Sequence, residues 1–86
     1  MTKFLLAAAL SLTAIPVLAE DVSCTVPEAE ARGIDALKTE LTAKGWDVRN
    51  VKTEHGCYEV YAMDENGKKV EAFFDPKTFE IVGYDD

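Results

Sequence analysis

Tyr58–Phe74 reads YEVYAMDENGKKVEAFF, two alternating apolar runs separated by Asp64-Glu65-Asn66-Gly67, and the way that turn closes decides the fold. A two-residue turn at Asn66-Gly67 would set Met63 opposite Val70 and Glu59 opposite Phe74, mixing polar and apolar side chains on one face. A three-residue loop, Glu65 to Gly67 with Gly67 left-handed, sorts them. It aligns Ala62 with Val70, Val60 with Ala72 and Tyr58 with Phe74 on one face, while Glu59, Lys69, Glu71 and Asp75 point away. The first set makes a face for something apolar to cover.

Working outward, the same parity extends the pairing in both directions. A tight turn at His55-Gly56 places Val51 opposite Val60 and Thr53 opposite Tyr58. Trp46 and Val48 then have the wrong parity, which one extra residue near Arg49-Asn50 restores, so a bulge is predicted there. Downstream, a loop from Pro76 to Phe79 brings Ile81 beside Phe74 in the core and Val82 beside Phe73 outside. Upstream the period changes. Thr25 and Glu28 have capping-box spacing, Pro27 suits a first turn, Ile34, Leu37 and Leu41 mark one face, and Gly45 ends the pattern. The expected helix is about nineteen residues, roughly 28 Å long. Gly33 inside it costs about 1 kcal/mol relative to Ala, which predicts close backbone packing at that point. The fold class is α+β: one N-terminal helix packed on a four-stranded antiparallel meander.

The 86 residues leave no room for a second domain or a dinucleotide fold. Lys3 opens an apolar stretch that Pro16 breaks ahead of Val17-Leu18-Ala19, the order of an export signal cleaved after Ala19. Residues 20–25 form a short N-terminal segment and 26–86 the domain. Once residues 1–19, with Lys3, are removed, the remaining 67 residues carry eight basic and sixteen acidic side chains, a formal charge of −8. Such a chain is not expected to hold nucleic acid, which requires Lys and Arg against phosphate, nor to keep a stable membrane anchor once the leader is removed. Export also governs the cysteines. Cys24 and Cys57 admit one pairing, and in an oxidising compartment, periplasm or outside the cell, a disulfide is expected to staple so small a domain.

The succession helix, Gly45-Trp46, Val51, Tyr58-Glu59-Val60, Asp64 to Gly67, Val70, Asp75-Pro76-Lys77-Thr78 and Ile81-Val82 resembles the PepSY domain, named for peptidase propeptides and the YpeB protein. The resemblance covers about Val26 to Val82. It implies a module that inhibits or regulates peptidases outside the cytosol, with a peptidase or envelope protein as partner. One departure stands out: Phe79 occupies a place where the family often has Gly, and because a left-handed Phe is strained, another turn type is expected.

Three constellations invite chemistry. His55 beside Cys57 resembles an activated thiol or half a zinc site, the basis of an alternative reading as a periplasmic ligand- or metal-binding or redox-active protein. A turn histidine before Gly56 and a disulfide to Cys24 account for the pair more simply. Asp64 to Gly67 resembles the start of a calcium loop but lacks the Glu at its twelfth position. No triad can be assembled, and carboxylates on an open sheet have no pocket to shift them, so no catalytic residue, metal or cofactor is expected. The remaining candidate is a partner-binding face on the outer side of the sheet: Tyr61, Met63, Phe73, Val82 and Tyr84, rimmed by Glu59, Lys69, Glu71 and Glu80.

Overall fold

A computed structural model of the chain describes residues 22–85, so the expected export signal and the cleavage expected after Ala19 lie outside the described residues. A 3-10 turn, Glu28–Glu30, leads to the helix α1, Ile34–Ala43, followed by the strands β1, Asp47–Glu54, β2, Cys57–Met63, β3, Lys69–Phe74, and β4, Ile81–Tyr84. The strands form one antiparallel sheet in the order β1-β2-β3-β4.

The central register is the one the turns dictate. Ala62 pairs with Val70, Val60 with Ala72 and Tyr58 with Phe74. Across the first hairpin Val51 meets Val60 and Thr53 meets Tyr58, and the register shifts between Val48 and Asn50, which puts the bulge at Arg49. His55 takes φ 53° and Gly56 φ 80°, the two positive values a two-residue hairpin turn requires. Leu37 and Leu41 of α1 close over Tyr58, Val60, Ala62, Ala72 and Phe74, with Trp46, Val48, Val51 and Val70 around the rim.

The helix is shorter than its pattern implies. Its ten residues span about 15 Å. Gly33 is its N-cap at φ 99°, and no capping-box hydrogen bond forms at the 3-10 turn. A Cβ on Gly33 would touch nothing within 4 Å. The glycine is therefore there for its backbone angle, not for close packing: it breaks the chain between the 3-10 turn and α1 while its N–H donates to the Tyr58 hydroxyl at 3.1 Å. At the other end Trp46 N–H donates to Leu41 O at 3.0 Å and Gly45 N–H to Thr42 O at 2.9 Å, the paired bonds of a Schellman stop.

Residues 22–33 act instead as a strap around one end of the sheet. Val22 is buried against Phe73 and Cys57 on the face opposite α1. Cys24 N–H donates to His55 O at 2.9 Å, and Arg32 N–H to Pro76 O at 3.0 Å. The disulfide Cys24–Cys57, Cα atoms 5.0 Å apart, fastens the strap to β2. Gly56 sits under the crossing, where a side chain would collide with the carbonyl oxygen of Cys24.

The last turn departs from expectation. Phe79 is left-handed after all, at φ 64°. Its ring is 7% exposed in the main core, 6.5 Å from the Tyr58 ring, with the Arg32 guanidinium 3.9 Å over its face. Burial of the aromatic and a cation–π contact offset a backbone cost of about 1–2 kcal/mol. The turn is further held by Asp75, whose Oδ1 accepts the backbone N–H groups of Lys77 and Thr78 at 2.8 and 3.0 Å.

Candidate partner-binding surface

The five residues expected on one outer face do not share it. Phe73 is 1% exposed, sealed beneath Val22 and the Cys24–Cys57 bridge. β4 bulges, so that Phe74 pairs with Ile81 and Phe73 with Gly83, leaving Val82 as the extra residue. That single insertion reverses the parity beyond it: Tyr84 pairs with Ala72 and therefore stands on the α1 side of the sheet, not the outer side. Of the five, Phe73 keeps to the outer face but is covered there, and Tyr61 and Met63 beside it are half-buried.

What the outer face holds instead is a charged strip. Glu59, expected to point into solvent, is 2% exposed between Phe73 and the neighbouring strands. Tyr61 Oη–H donates to Glu59 Oε2 at 2.9 Å, and Lys52 Nζ lies 3.7 Å from Oε1. Burial pushes the Glu59 carboxyl above the usual carboxylate range, and the adjoining Asp85 carboxylate adds to the rise. The bond to Glu59 raises the Tyr61 phenol in turn, and Lys52 is raised chiefly by Tyr61 and then by Glu59. Beside them Lys69 Nζ sits 3.7 Å from Glu71 Oε2.

The exposed apolar surface lies around β4. Ile81, Val82 and Tyr84 are 39, 39 and 52% exposed. Ile81 does pair with Phe74 as expected, yet it is not enclosed, because α1 lies toward β1 and leaves this end of the sheet uncovered. A groove of about 360 Å³ results, floored by Trp46, Val70, Ile81 and Tyr84 and edged by Asp64, Lys68 and Lys69. This is concave, lined by apolar and charged side chains together, and adjacent to an open strand edge, a combination suited to receiving side chains of another polypeptide.

The other constellations resolve simply. Cys57 is fully buried in its bridge to Cys24, so His55 has no thiol to activate and instead faces Glu54 Oε2 at 3.8 Å. Asp64 Oδ1 accepts the N–H groups of Asn66 and Lys68 at 2.9 Å each, which is turn chemistry. Among the described residues no helix is long and apolar enough to cross a membrane.

Sequence reasoning missed Val22, Trp46 and Ile81 as surface-shaping residues, and placed Glu59 on a solvent-exposed rim where the structure buries it. Val22 carried a readable signal: a lone apolar residue two positions before a cysteine destined for β2 must travel with it to the outer face.

A family model described as the peptidase propeptide and YPEB domain matches residues 3–84. No curated protein and no solved structure gives a match.

Proposed function

The chain belongs to the peptidase propeptide and YPEB domain family, and from that premise we propose that it is an exported, non-catalytic binding module that restrains or steers a peptidase outside the cytosol. The observation carrying this reading is the apolar surface at Ile81, Val82 and Tyr84, next to a groove on a strand edge. A disulfide-stapled fold suits an oxidising compartment, and the acidic balance favours a neutral or basic partner. The inhibitory contact falls at β4, because Phe73 is already occupied by the strap.

The test is an inhibition assay. Purified domain is titrated into peptidase-containing envelope or secreted fractions of its host, with casein hydrolysis as readout. Slowed or redirected hydrolysis by the wild type, and its loss in Tyr84→Asp with the fold retained, is the expected result. Unchanged hydrolysis at all domain concentrations rejects peptidase regulation.

A further inference from the structure

A strand at the edge of a sheet leaves backbone N–H and C=O groups without a ladder partner. Among the described residues the two edges are β1 and β4. β1 is guarded by the exposed Asp47, Arg49, Asn50, Lys52 and Thr53, by its bulge, and by α1 alongside. β4 shows apolar side chains instead.

The ladder itself says which groups of β4 face outward. Asp85 N–H donates to Glu71 O at 2.9 Å, so Asp85 with Glu71, and two residues back Gly83 with Phe73, are the hydrogen-bonded pairs. Tyr84, between them, turns its N–H and C=O to the open side. A residue of an incoming strand that pairs with Tyr84 lies on Tyr84's face of the sheet, and its side chain enters the groove with Trp46, Val70 and Ile81. The residues before and after it lie on the opposite face, beside Gly83 and Asp85. There Asp85 adjoins Glu59, with Glu71 on the neighbouring strand. The three carboxyl groups have Lys52 and Lys69 as their lysine partners, which leaves that end of the strip short of positive charge.

Building on the reading of β4 as the docking edge, we propose that its occupant is an extended polypeptide segment with an apolar residue paired to Tyr84 and an arginine or lysine next to it, beside Asp85. A second copy of this chain fits poorly: pairing Tyr84 with its own counterpart sets Gly83 against Asp85, supplies no cation, and brings together two strongly acidic chains. The partner strand reads as apolar–basic alternation.

Two blocked heptapeptides of alternating valine and threonine test this, one with arginine next to the central valine and a twin with glutamate there. Isothermal titration measures affinity, and the Tyr84 amide shift in nitrogen-15 NMR locates binding. The arginine peptide is expected to bind on the order of tenfold more tightly than its twin, with the preference reversed in Asp85→Arg, whose fold is checked by Trp46 fluorescence. Equal affinities overturn the charge pairing while leaving β4 as a docking edge. Binding of neither peptide, or a preference that Asp85→Arg does not move, overturns the proposal as a whole; the hydrolysis assay then judges peptidase regulation on its own.

Discussion

Replacing Phe79 with glycine and with alanine sets two opposed effects against each other at one position. Both variants lose a ring buried in the main core, which by comparison with other core truncations costs about 3–5 kcal/mol. Alanine must still adopt φ near 64°, which costs an L-residue about 1–2 kcal/mol, whereas glycine accepts that angle freely. Glycine pays more entropy from the unfolded chain, about 0.5–1 kcal/mol. Phe79→Gly is therefore expected to be destabilised by about 2–4 kcal/mol, and Phe79→Ala by close to 1 kcal/mol more. A domain of this size has only about 3–10 kcal/mol in total, so the oxidised protein is the one to use. Urea unfolding followed by Trp46 suits the measurement, since that lone tryptophan packs edge-on against Phe74 at 6.2 Å. At about 1 kcal/mol per molar urea, the midpoints should differ by roughly 1 M. An alanine variant equal to or more stable than the glycine variant would refute a left-handed backbone at this turn. The Arg32 contact gives an internal check: Arg32→Ala should cost about 0.5–1 kcal/mol in the wild type and nearly nothing in Phe79→Ala.

Four further outcomes are expected. Replacing Cys24 and Cys57 together by serine should cost about 3.7 kcal/mol by loop entropy for their separation of 33, and speed exchange of the amide at position 24; an unchanged urea midpoint sinks the role of the strap. Phe73→Ala should lose about 3–5 kcal/mol and Phe73→Asp should fail to fold, while Tyr84→Asp should change the stability by less than about 1 kcal/mol; a soluble, native Phe73→Asp contradicts the buried outer face. Gly56→Ala should cost more than about 1 kcal/mol, because the left-handed angle and the collision with the Cys24 carbonyl act together, as thermal melts would register. Stability should depend on pH in two opposing ways. Glu59, raised in the folded state, contributes stability that is complete below its ordinary value of about 4.3 and fades as pH rises through its folded pKa. Asp75, lowered by the Thr78 and Lys77 amides, contributes stability that is complete above about 3.9 and fades as pH falls through its folded pKa. A mildly acidic optimum follows, and Glu59→Gln should remove the decline on its alkaline side; a Gln variant with an unaltered profile assigns that decline elsewhere.

The sheet was legible because its register is decided locally. Asp64 to Gly67 and His55-Gly56 admit few turn geometries, and a period of two then carries each turn's parity along the whole strand, which is how even the bulge at Arg49 could be placed from the misplaced Trp46 and Val48. The candidate surface was less legible for the same reason. One extra residue at Val82 sends Tyr84 to the other face, and nothing in the dipeptide Ile81-Val82 announces it, because two adjacent apolar residues carry no parity of their own.

Sequence alone thus determined the meander, the pairing of its first three strands and the sulfur bridge, all consequences of short turns, alternation and a single possible cysteine pair. Only tertiary structure decided where the helix begins, which side of Phe73 and Glu59 is dry, and which strand edge is left to a partner. Helical periodicity cannot distinguish a strap from a first turn when Gly33 bonds to Tyr58, 25 residues away. Coverage of a face depends on which distant segment reaches it, and here Val22, carried around the end of the sheet by Cys24, reaches Phe73 first.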